Sequence, residues 1–172
     1  MNYMKITYPD IANGPGCRVT LWVAGCSHQC PGCHNPQTWD QKAGKPLTNE
    51  VIEQVIELLR PDYISGLTFS GGDPLFGGVH SNLVSSCDWI ATIAGRVREE
   101  YHDKKSIWLW TGYLWDEIKD WKRLPLIDVI VDGPFVQELK DITLPYCGSS
   151  NQRVIDVKKS LEQNEVVLWK EF

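Results

Sequence analysis

Long apolar runs, basic clusters and internal repeats are all missing from this 172-residue chain. No apolar stretch approaches the roughly 20 residues that a helix needs to cross a bilayer, which argues against a membrane role. Lys and Arg never run beyond three in succession and the net charge is −5, so the electrostatic footprint of a nucleic-acid binder is lacking. The stretch "MNYMKITYPD" lacks the charged-then-apolar pattern of a secretory signal, and a cytoplasmic protein is expected. With no low-complexity tract and no linker, one domain over 1–172 is expected. No acid–base pair or activated nucleophile stands out.

What the chain does have is cysteine, tryptophan and an alternation of strands with helices. Its 42% hydrophobic and 23% charged residues suit a globular protein large enough to bury a core without staples. In a reducing compartment six cysteines point to metal or catalytic work rather than disulfides. The eight tryptophans are read as core and interface packing. β-Branched and aromatic runs predict strands over 18–23, 66–70, 106–111 and 127–132, with two further candidates over 153–157 and 165–169. Helices are predicted over 48–59, 81–101 and 114–121. The first has Thr48 as its cap and Val51, Val55, Leu58 and Leu59 as its stripe, and the second carries Leu83, Val84, Ile90, Ile93, Ala94 and Val97. Such alternation implies βαβ units and a largely parallel sheet, whose working residues gather at the C-terminal strand ends. Cys26, Asp73, Thr111 and Asp132 follow four successive predicted strands, which suggests one shared site.

The segment "GCSHQCPGCHN" at 25–35 places Cys26, Cys30 and Cys33 within eight positions. Closely spaced thiolates let one short loop hold several corners of an iron–sulfur cluster. An extended chain spans about 3.3–3.6 Å per residue, so the loop has ample reach and must curl back, as Gly25, Pro31 and Gly32 allow. Three readings stand side by side on spacing alone. His28 or His34 could complete a closed zinc site. Cys17, Cys87 or Cys147 could supply a fourth thiolate, although Cys17 and Cys87 also read as small core residues. Otherwise one iron is left open to bind a substrate.

The cysteine triad after a strand, followed by Gly-Gly-Asp-Pro after a later one, resembles the radical S-adenosylmethionine (SAM) superfamily. "NGPG" (13–16), "GCSHQCPGCHN", "SGGDPL" (70–75), "WTGY" (110–113), "VDGPF" (131–135) and "GSSNQRVIDV" (148–157) together resemble the anaerobic ribonucleoside-triphosphate reductase-activating proteins, in order and over nearly the whole chain. The resemblance implies a partial (β/α) barrel of about six mostly parallel strands. It implies a 4Fe–4S cluster on Cys26, Cys30 and Cys33, with the fourth iron chelated by SAM. Gly32, Cys33, His34, Gly71, Gly72, Asp73, Thr111 and Asp132 would then bind SAM: Asp73 its amino group, Asp132 its ribose, and the Gly32 backbone its adenine. Related activases carry a lysine for the SAM carboxylate where this chain has Pro134, so Arg153 is a candidate for that charge.

The implied reaction is reductive cleavage of SAM to a 5′-deoxyadenosyl radical, which takes hydrogen from a glycine of the partner reductase. Its electron comes from a donor such as flavodoxin. Two alternatives remain at this point: a radical SAM enzyme acting on a small molecule, and a non-enzymatic zinc or iron–sulfur binding module, which would leave Asp73 unexplained. Neither nucleic acid nor membrane is an expected partner.

Overall fold

Side chains alternate across a strand, so a sheet covered by helices on one side sorts its residues into an apolar face and a free face. The computed structural model, which describes residues 1–79 and 85–170, builds one seven-stranded sheet on that principle. In chain order the elements are β1 (Asn2–Asp10), β2 (Cys17–Val23), β3 (Lys45–Pro46), α1 (Asn49–Leu58), β4 (Ile64–Gly71), α2 (Ser86–Tyr101), β5 (Ser106–Trp110), α3 (Trp115–Ile118), β6 (Val129–Asp132), β7 (Arg153–Asp156) and α4 (Val157–Gln163). The strands lie in the order β3-β1-β2-β4-β5-β6-β7. The middle four, β2, β4, β5 and β6, pair in parallel, while β1, β3 and β7 run antiparallel to their neighbours.

Val19, Leu21 and Val23 of β2, Leu67 and Phe69 of β4, Ile107 and Leu109 of β5 and Ile130 of β6 share one buried cluster with α1 and α2. In α2, Cys87, Ile90, Ile93, Ala94 and Val97 are buried at helical spacing. That helix is capped where the Ser85 N–H donates to Asp88 Oδ2 at 2.8 Å. The opposite sheet face carries Thr20, Thr68, Ser70, Trp108 and Trp110. Arg18 is wholly buried there and donates to Thr68 Oγ1 (2.8 Å), Ser106 Oγ (2.9 Å) and the Leu67 carbonyl (2.8 Å). Burial pushes its pKa down to about 10. Trp108, Tyr146 and Trp169 pack edge to face beside it.

Several sequence expectations need correction. The buried stripe of α1 is Ile52, Val55 and Ile56, continued by Leu59, so Val51 and Leu58 are only half-buried. The helix expected over 114–121 closes after one turn, α3, although Trp121 beyond it is still buried. The stretch expected as a strand over 165–169 forms only an isolated bridge, Leu168 to Ile155. The strand expected over 153–157 exists as β7 but runs antiparallel. Within the helix expected over 81–101, residues 81–84, with Leu83 and Val84, lie outside the described residues, and α2 begins at Ser86. The long strand β1 was not foreseen. Register shifts between Tyr3 and Lys5 and between Thr7 and Asp10 break its period-two pattern, so Tyr3, Ile6 and Tyr8 pack on the core out of phase.

Candidate functional site

Parallel strands deliver their C-terminal ends to the same edge of the sheet. Here that edge opens into a cleft of about 440 Å³. Cys26, His28, Cys30, Cys33 and His34 line it from the loop after β2, Gly71, Gly72 and Asp73 from the end of β4, and Thr111 and Gly112 from the end of β5. Asn13, Gly133, Phe135, Gly148 and Gln152 also line it, so each of the six motif segments reaches the cleft. Of the six cysteines, all free, only Cys26, Cys30 and Cys33 line it.

The cysteine loop is held at its base like a short ladder. Gly25 N–H donates to the Thr38 carbonyl at 2.8 Å, Cys26 N–H to that of Trp39 at 3.1 Å, and Cys33 N–H to that of Cys30 at 3.1 Å. The Asn35 N–H reaches Cys33 Sγ at 3.3 Å. Burial pushes the Cys26 thiol up, partly offset by the His28 backbone N–H. Close backbone contacts account for the paired glycines. Gly71 has φ +105°, and a Cβ there would meet the Val23 backbone at 2.7 Å. A Cβ on Gly72 would meet the Gly25 carbonyl oxygen at 2.5 Å. With no side chain on Gly71 or Gly72, the N–H groups of Gly72 and Asp73 donate to the Val23 and Gly25 carbonyls at 2.8 and 2.7 Å. The end of β4 is thereby bound to the root of the cysteine loop.

Asp73 is 1% exposed. Its Oδ1 accepts from the Leu75 N–H at 2.8 Å and Thr111 Oγ1 at 2.9 Å. Its Oδ2 accepts from His28 Nε2 at 2.8 Å, the Gly112 N–H at 2.9 Å and Thr111 Oγ1 at 3.0 Å. The Asp73 hydrogen bond raises the pKa of His28. The His28 ring also meets Tyr113 edge to face at 4.7 Å and lies over Gly112, where a Cβ would come within 2.5 Å of it. Gly112 is a site residue that the sequence reading passed over, and its position inside "WTGY" was the available signal.

Asp132 is brought to the same strand-end level but not to the cleft wall. Fully buried, it accepts from the Trp115 N–H at 2.8 Å and from both Arg153 Nε, at 3.0 Å, and a terminal Arg153 nitrogen. Arg153 is committed to that pair and does not line the cleft. None of the described lining residues is Lys or Arg. Gly32, at φ +73°, packs against the Gln137 side chain outside the lining, while His34 sits 5.8 Å from the Phe135 ring, centroid to centroid. Gln152 ties the "GSSNQR" loop to the end of β6: its Nε2 donates to the Gly133 carbonyl at 2.9 Å and its Oε1 accepts from the Gly148 N–H at 2.8 Å. Cys87 is buried in α2 and its pKa is pushed up to about 11 by that burial. Among the described residues, no three His, Cys, Asp or Glu side chains are arranged to hold a single metal ion.

A family described as a 4Fe-4S single cluster domain matches residues 12–155. The chain is also 45% identical over 158 residues to the anaerobic ribonucleoside-triphosphate reductase-activating protein of Escherichia coli K12, covering 90% of this chain and 97% of that one. The protein of the same name from enterobacteria phage T4 is 39% identical over 154 residues, covering 90% and 93%. That of Vibrio cholerae is 44% identical over 156 residues, covering 88% and 96%.

Proposed function

Because the chain belongs to the family of anaerobic ribonucleoside-triphosphate reductase-activating proteins, we propose that it activates an anaerobic ribonucleotide reductase by installing a glycyl radical on it. The observation that carries this reading is the meeting of three free cysteines with Asp73 and its two glycines at one cleft. When bound and reduced, the 4Fe–4S cluster supplies the electron that splits SAM into methionine and a 5′-deoxyadenosyl radical, which takes hydrogen from a glycine of the reductase.

The residues present fit such a group. Cys26, Cys30 and Cys33 offer three thiolates on one wall, and the Asn35 N–H already donates to one sulfur. Trp39 Nε1 is buried without an acceptor in a residue lining the same cleft, as a donor awaiting a bound partner would be. In this reading Cys26, Cys30 and Cys33 would hold the cluster through their three thiolates, and SAM would complete it. Asp73 would accept a charge-assisted hydrogen bond from the SAM amino group. Thr111 and Gly112 act behind it, holding the carboxylate in place. Asp132 supports the cleft from the rear rather than touching the ribose, since it stands outside the cleft lining, paired with Arg153. His34 and the Gly32 backbone flank the adenine.

The sheet face opposite the helices serves as the inner wall of a partial (β/α) barrel of the radical SAM type, within a single domain over 1–172. Its open strand-end edge admits the reductase loop, whose glycine must come within about 3–3.5 Å of the reacting carbon. A flavodoxin-like donor provides the electron, and the setting is cytoplasmic. No described helix is long and apolar enough to cross a membrane.

Anaerobic purification tests the reading. The protein should be brown, hold about four irons and four sulfides per chain, and cleave SAM when reduced. A colourless, zinc-loaded protein that leaves SAM intact would overturn it.

A further inference from the structure

A carboxylate has about four lone-pair sites. Those of Asp73 are filled by Leu75 N–H, Gly112 N–H, the Thr111 hydroxyl and His28 Nε2–H. A ligand N–H donor that binds Asp73 must therefore replace one of these donors. Two of the four are backbone N–H groups fixed by the chain. Thr111 is buried, and its Oγ1 also accepts from the Tyr113 N–H at 3.2 Å, so turning it away would break two contacts. His28 differs in each respect. Its side chain is 19% exposed, it stands on the loop between Cys26 and Cys30, and it rests against the bare Cα of Gly112 and the edge of Tyr113.

Resting on the reading of the cleft as a SAM site, we propose that His28 is the internal occupant of the amino-group position on Asp73, and that SAM binds by exchange with it. The Nε2–H···Oδ2 bond breaks as the SAM amino N–H···Oδ2 bond forms. The ring leaves its seat over Gly112, and Asp73 is never left buried with an empty acceptor. Because His28 lies between two of the cysteines, the exchange also moves the loop that holds them, so SAM arrival and the cysteine loop are mechanically coupled. The protein thus keeps a polar donor over its carboxylate until the right ligand displaces it, which disfavours adenosyl compounds without an amino group.

Equilibrium binding to the anaerobically reconstituted, oxidised protein tests the exchange. Two probes are compared, SAM and its analogue lacking the amino group, on wild type and His28→Ala, with iron content and circular dichroism checking the fold. Removing the internal competitor should tighten SAM by roughly ten-fold, the scale of one hydrogen bond to a charged group, and leave the analogue unchanged. Gly112→Ala, which fills the seat of the ring while keeping the imidazole, should shift SAM in the same direction if it retains its cluster. An unchanged SAM affinity in His28→Ala, or equal weakening of both probes, would overturn the exchange and leave the SAM reading standing. Failure of the wild type itself to bind SAM would overturn both.

Discussion

Asp73 draws its donors from three segments: Leu75 in its own turn, Thr111 and Gly112 after β5, and His28 in the cysteine loop. Asp73→Asn keeps the volume but turns one acceptor towards donors as an NH₂ group. SAM affinity should fall at least about ten-fold while iron content is retained, because no cysteine is touched. Loss of iron in step with SAM would assign Asp73 to the cluster instead. The cysteines divide in a parallel way. Cys30→Ala should abolish iron binding, whereas Cys87→Ala should leave it intact, since Cys87 lies on the buried face of α2, outside the cleft. Iron lost equally from both variants would contradict the ligand assignment. Cys87 also gives the protein an alkaline signature. Burial holds its pKa at about 11, above the roughly 8.5 of a free thiol. The stabilising contribution is therefore fully present below about pH 8.5 and fades as the pH rises towards the folded value. Urea midpoints should fall over that window, and Cys87→Ala should remove roughly 1–3 kcal/mol of the decline. Identical declines in the two proteins would place its origin elsewhere.

Among the elements, β6, β7 and α3 are joined by one buried carboxylate. Asp132 at the end of β6 holds Arg153 at the start of β7 and the first N–H of α3. Arg153→Ala would leave that charge buried and unpaired, which costs about 3–5 kcal/mol in a closed interior and roughly 2–3 here, since Arg153 is 38% exposed. Denaturant titration should show this loss, with iron content per folded chain unchanged; a stable protein that no longer binds SAM would return Arg153 to the SAM carboxylate. This pairing was hidden in the sequence because Asp132 and Arg153 are 21 residues apart. The central strands were legible, because Val19, Leu21, Leu67, Phe69, Ile107 and Leu109 keep strict alternation. The strand β1 was not, because its two register shifts erase that alternation. Neither was the direction of β7, since a short run such as "RVID" reads the same in either sense.

At the scale of the molecule, four parallel strand ends and the loops that precede β2 and β7 bring segments from Asn13 to Gln152 to a single cleft. The cysteine loop and the double glycine were readable as motifs, and their convergence follows from the rule that working residues gather at C-terminal strand ends. The reason for the glycines was not readable. They allow β4 to hydrogen-bond the root of the cysteine loop, a long-range backbone contact that spacing along the chain cannot reveal. That bond fixes Asp73 beside the cysteines, and an open iron paired with a neighbouring carboxylate is the basis of the proposed activation. The most direct test is an EPR spectrum of the partner reductase after anaerobic incubation with this protein, SAM and a reductant. A glycyl-radical doublet that requires all three is the predicted result. No doublet while SAM is still cleaved would contradict the account.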